Sequence, residues 1–124
     1  MSATRRYSPA FHNALANLGN WKVAPSLAFR VMRVWHHISA RCEPPEPIIE
    51  MTEDGGVRFA WNSEASYACS TPCWYLDLEV YDDGTFEWFY SDRTNGAVDG
   101  TQGAREEVLP EAFYQRLESL AECP

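Results

Sequence analysis

The sequence predicts an α+β protein: a small antiparallel meander of three or four strands, with N-terminal and C-terminal helices packed on one face. Three observations carry this. Apolar residues recur about every 3.6 positions in the segments 24–42 and 109–121. Between those segments, from Val57 to Tyr90, the apolar period drops to two. That region is also broken by acidic glycine turns, "TEDGG" and "DDG", which separate the runs of alternation. With 124 residues the chain suits a single domain, 1–124, large enough to bury a core without metal or disulfide support.

Taken in order, "YSPAFHNALANLG" has the marks of a short helix. Ser8 suits the N-cap, Pro9 the first turn, Phe11, Leu15 and Leu18 share a face, and Gly19 ends it. The longer helix, "APSLAFRVMRVWHHISARC", sets Leu27, Val31, Val34, Trp35 and Ile38 in an apolar stripe beside a basic one of Arg30, Arg33, His37 and Arg41. Pro44, Pro45 and Pro47 then forbid helix and keep the chain extended. "PIIEM" reads as a short edge strand. "VRFAW" turns Val57, Phe59 and Trp61 inward, "WYLDLEVY" turns Trp74, Leu76, Leu78 and Val80 inward, and "TFEWFY" does so with Phe86, Trp88 and Tyr90. "SDRTNGAVDGTQGARE" is polar and aperiodic and reads as a long, mobile loop. "LPEAFYQRLESLA" closes the chain as a helix, with Pro110 at its start and Phe113, Leu117 and Leu120 as its buried stripe.

The register of the best-defined hairpin follows from parity. A two-residue loop at Asp83-Gly84 pairs Val80 with Glu87 and drives a carboxylate into the core. A three-residue loop, Asp82-Asp83-Gly84 with a left-handed glycine, pairs Val80 with Phe86 and Leu78 with Trp88. The second solution keeps the apolar face dry. Its consequence is that Glu79 lies opposite Glu87, with Asp77 beside Phe89, on an outer face that also carries Tyr75 and Tyr81.

The net charge of −8 is unevenly spread. Residues 1–42 hold six Lys/Arg, all three His and no acid, whereas the remainder holds all 18 Asp and Glu against four arginines. Either the basic helices neutralise the acidic sheet internally, or the molecule presents a bipolar surface that steers a charged partner. No apolar run approaches a membrane span, and the N-terminus lacks the unbroken apolar core of a secretory signal. A cytoplasmic location is expected, in which Cys42, Cys69, Cys73 and Cys123 are thiols.

Candidate chemistry is sparse. "CSTPC" spaces Cys69 and Cys73 more widely than a zinc knuckle and lacks a second ligand pair at matching spacing. Cys42 and His37 are the residues that would complete a zinc- or thiol-dependent site, and this is the alternative reading. Adjacent His36 and His37 point about 100° apart on a helix and do not form a two-ligand site. Neither a phosphate-binding loop, a dinucleotide glycine pattern nor a nucleophile elbow occurs, and the glycine turns do not continue into calcium-ligand spacing. Asp77, Glu79 and Glu87 on an open sheet face lack the pocket that acid–base catalysis needs. A non-catalytic protein with no cofactor is expected, and the net charge opposes direct nucleic-acid binding.

Tyr75, Asp77, Glu79, Tyr81, Glu87 and Phe89 remain as the candidate partner-binding set. Like charges opposed across strands are destabilising, and aromatics beside them serve best at an interface. The plain alternative is that Arg58, the C-terminal helix or a loop covers this face. The segments "NWKVAPS", "PPEPIIEMTEDGGVRFAW" and "YLDLEVYDDGTFEWFY" together resemble a diffuse set of small bacterial proteins of unassigned chemistry, often encoded near phage, toxin or other mobile-element genes. The shared pattern, DGGV-x-F-x-W followed by LxLEV-xx-DG, is structural. The stretch "ASYACSTPC" is peculiar to this chain. The resemblance implies a helix-plus-meander core and carries over no catalytic residue.

The expected function is therefore an acidic binding protein that inhibits or neutralises a partner with a basic or nucleic-acid-binding surface. An antitoxin-like or anti-CRISPR-like phage role fits, with the 63–73 and 92–105 loops as further contacts. A homodimer through the same face is the third expectation.

Overall fold

The structure is a computed structural model that describes residues 7–17, 23–62, 74–93, 96–101 and 105–121. Helix α1 (Pro9–Ala16) begins where Ser8 accepts a hydrogen bond from the Phe11 amide at 3.2 Å, with Pro9 in the first turn. Its predicted end at Leu18 and Gly19 lies outside the described residues. Helix α2 (Pro25–Arg41) has no side-chain cap. Instead Ser26 donates to Asp82 at 2.5 Å, which brings a carboxylate to the positive end of the helix. The prolines after Cys42 end it, as the sequence requires.

Five strands then form one antiparallel sheet in the order β1 (Ile48–Met51), β2 (Val57–Asn62), β3 (Trp74–Val80), β4 (Phe86–Asp92) and β5 (Ala97–Gly100). Helix α3 (Glu111–Ala121) closes the chain. The predicted pairing of Val80 with Phe86, Leu78 with Trp88 and Glu79 with Glu87 is observed. Gly84 takes φ +88° at the end of the three-residue loop.

The sheet has one strand more than the upper expectation, because the segment read as a long loop is partly strand. Ser91 and Asp92 extend β4, and Ala97–Gly100 pair with it as β5. Beyond β5, Thr101 donates to the Trp88 carbonyl at 3.0 Å, and Glu106 exchanges two backbone bonds with Phe86 at 2.7 and 2.8 Å. Backbone pairing therefore reaches both ends of β4, which removes an exposed edge. "AVDG" has too little alternation to announce this. Backbone pairing stabilises it, not a buried side-chain row.

All three helices pack on the same face of the sheet. Their apolar stripes join Val57, Phe59, Trp61, Leu76, Leu78, Val80, Trp88 and Tyr90 in one core. An aromatic chain runs through it from Phe11 to Trp35 (5.0 Å between rings), Phe59 (5.6 Å), Trp61 (6.2 Å), Phe113 (6.4 Å) and Trp88 (5.7 Å). Burying a side chain of this kind stabilises by about 1.5–3 kcal/mol, so the core fixes which side of the sheet remains open. Arg41 closes the helical layer. It pairs with Glu111 and, at 3.3 Å, with Glu118, and lies over the Tyr114 ring.

Candidate protein-docking face

Period-two alternation sends every second residue of the strands to the side away from the helices. Three rows result. Glu50, Arg58, Glu79 and Glu87 form one; Ile48, Ala60, Asp77, Phe89 and Gly100 form the next; Asn62, Tyr75, Ser91 and Val98 form the third. Five of the six predicted partner-binding residues thus share a face: Tyr75, Asp77, Glu79, Glu87 and Phe89. Tyr81, one residue past β3, joins them through its hydroxyl, which donates to Glu87 at 2.7 Å.

The two opposed carboxylates each accept a hydroxyl, and Tyr81 stands close to both. Glu79 accepts from the Thr52 hydroxyl at 2.9 Å, and Glu87 from Tyr81. Arg58 stands directly across from Glu79 and lies 3.1 Å from Glu50. Burial opposes the charge on Arg58, but Glu50, Tyr75, Asp77 and Glu79 outweigh it and raise its pKa. Tyr75 donates to Asp77 at 2.8 Å, and its ring lies 6.4 Å from Phe89. Burial lifts the Asp77 carboxyl above its usual range, while Tyr75 and Arg58 pull the other way. Burial and then hydrogen bonding to carboxylates push both Tyr75 and Tyr81 well above an ordinary phenol. Near neutrality Tyr75 and Tyr81 are therefore phenol donors, and Arg58 is a guanidinium cation.

Accessibility sorts the set further. Phe89 is 44% exposed, whereas Tyr81 is buried beneath Arg105, whose guanidinium lies 3.6 Å from the ring centre and 3.5 Å from Asp83. Tyr81 therefore supports Glu87 from below rather than presenting a ring. Two residues that the sequence reading left off this face belong to it. Ile48 (59% exposed) and Val98 (64% exposed) flank the acidic rows from the two outer strands. Ile48 could have been found from the β1–β2 register; Val98 sat in the supposed loop and gave no signal.

Of the two charge readings, neutralisation by the basic helices operates at Arg41 with Glu111 and Glu118 and does not reach the acidic rows, because α2 lies on the opposite side of the sheet; within the rows Arg58 pairs with Glu50 and faces Glu79. Among the described residues Arg58 is the cation at the centre of those rows, and α3 does not cover them. The 63–73 loop, with Cys69 and Cys73, lies outside the described residues, as do 94, 95 and 102–104 of the second loop and Cys123. Cys42 is half-buried, with its thiol donating to the Ile38 carbonyl at 3.5 Å and its pKa raised chiefly by burial. Among the described residues no three His, Cys, Asp or Glu gather as a metal ion needs, and no helix is long and apolar enough to cross a membrane.

Protein-family models, curated proteins and solved structures were each compared with this chain, and none matched.

Proposed function

We propose that this chain is a non-catalytic binding protein that neutralises another protein by laying its open sheet face on a basic surface. The observation that carries the proposal is the direct opposition of Glu79 and Glu87 on a face that no helix covers among the described residues, bordered by exposed Ile48, Phe89 and Val98. A fold gains nothing by opposing two carboxylates on its own account. A basic partner converts that repulsion into complementarity, with the carboxylates steering approach and the apolar side chains supplying contact area. The occupant is a protein or nucleoprotein whose cationic surface normally meets phosphate, and the acidic rows stand in for the polyanion. Within this class an antitoxin-like or phage-borne, anti-CRISPR-like inhibitor suits the charge of −8 and the size.

An affinity pull-down from the native host tests this, with Glu79→Lys combined with Glu87→Lys as the decisive variant and thermal unfolding as the control for folding. The expected result is one cationic partner recovered by the parent chain and lost with the folded variant. A complex that survives both substitutions places the interface elsewhere.

A further inference from the structure

A second region, on the helical side, has its own character. Between α2 and the β3–β4 hairpin lies a cleft of about 200 Å³ lined by Arg30, Arg33, His37, Val34, Val80, Gly84, Phe86 and Glu107. Arg41, Arg58, Arg105 and Arg116 each sit within ion-pair distance of a carboxylate. Arg30 and Arg33 do not: among the described residues neither has an acidic partner, in a chain whose acids outnumber its bases by 18 to 10. Arg33 lies over the Phe29 ring at 5.8 Å, and the Arg30 guanidinium rests on Gly84, so close that a Cβ there would sit 3.0 Å from Nη1. Gly84 therefore serves the left-handed turn and also seats Arg30 at the cleft.

We infer that this cleft binds a small anion: a phosphate or carboxylate carried on a compact ring. Arg30 and Arg33 are one turn apart on α2 and His37 one turn further on, a spacing that lets their donors converge on one oxyanion. Val34, Val80 and Phe86 supply an apolar wall for the ring, and the volume suits a compact ring. Glu107 is the one acid in the lining and tunes the site against more highly charged ligands. The site is separate from the acidic rows, on the other side of the sheet, and stands or falls independently of the docking proposal.

The test is an NMR titration of the folded chain with phenyl phosphate, benzoate, inorganic phosphate and neutral phenol. Phenyl phosphate or benzoate is expected to shift Arg30, Arg33, Val80 and Phe86 signals, and the stronger of the two identifies the oxyanion. Phenol and inorganic phosphate should each bind at least about tenfold more weakly, since each lacks one half of the recognition. Arg30→Gln with Arg33→Gln, two exposed positions, should weaken binding by about tenfold or more. Glu107→Gln should tighten it by about threefold at low salt. No shifts with either ring-bearing anion, unchanged affinity in the double arginine variant, or phenol binding equally well would each overturn the inference.

Discussion

Glu79 and Glu87 face one another across the β3–β4 ladder, and each carboxylate accepts a hydroxyl, from Thr52 and from Tyr81. Glu87→Gln keeps an oxygen for the Tyr81 hydroxyl and removes the like-charge opposition. Its expected effect is a gain of about 0.3–0.5 kcal/mol in urea unfolding, together with weaker docking. The same variant thus separates what the fold prefers from what the proposed interface requires. Asp77 offers a pH-dependent counterpart. Its carboxyl is raised above the ordinary 3.8, so the folded chain binds that proton more readily than the unfolded chain does. The ionised form therefore costs stability, and the penalty is relieved as pH falls through the raised value. Asp77→Asn should raise stability at pH 7 and lose that part of the pH dependence, which lies on the high side of 3.8, measured by unfolding at a series of pH values. The two buried indoles differ as well. Trp61 donates to the Pro45 carbonyl at 2.7 Å, whereas the Trp88 N–H has no partner among the described residues. Trp61→Phe should be more destabilising than Trp88→Phe by about 1 kcal/mol, because the first abandons a made bond and the second removes an unmet donor.

At the scale of elements, the two hairpins repeat one device. In "TEDGG" and "YDDGT" the first residue donates to the carbonyl of the fifth, at 2.9 and 3.1 Å, and the fourth, a glycine at φ +81° or +88°, donates back to the first at 3.1 Å. The dipeptide Asp-Gly was legible as a turn, and the loop length followed from the alternation around it. Gly56 was not legible. Its φ is ordinary, yet a Cβ there would lie 2.9 Å from the Val80 carbonyl oxygen and 3.2 Å from the Glu79 carboxylate. Gly55→Ala should cost about 1 kcal/mol for its left-handed backbone, while Gly56→Ala should cost about 2 kcal/mol or more by pressing on β3. Chemical denaturation of the two variants decides the order. A larger loss at Gly55 would mean that β3 yields easily and that Glu79 is held less firmly than described. Strand β5 escaped the sequence for a related reason: its backbone pairs with β4, but "AVDG" buries too little to show a period.

At the scale of the whole molecule, the acidic rows and the basic stripe of α2 lie on opposite sides of the sheet. Acids cross the open side of the sheet, and α2 carries Arg30, Arg33 and His37 on the other side. Docking on a basic partner should accelerate at low salt, with kon rising by about tenfold between 0.5 M and 0.05 M salt. Self-association through two equal acidic faces should instead weaken over the same range. Sedimentation and surface-binding kinetics at several salt concentrations distinguish these outcomes. Had the basic helices lain over the acidic rows, neither dependence would be expected, and residue spacing alone could not exclude that arrangement.

What the chain determined by itself was parity. Alternation against a buried face admits one hairpin register, because slipping by one residue would carry Glu87 inward, and so Tyr75, Asp77, Glu79, Glu87 and Phe89 had to share a side. What needed the tertiary structure was company: Arg105 over Tyr81, Thr52 on Glu79, Ile48 and Val98 at the margins, and two guanidiniums beside a cleft with no acidic partner among the described residues. Burial repeats with the period of the backbone and leaves its mark in sequence. Contacts between polar groups depend on which remote segments the core brings together, and they have no period to read.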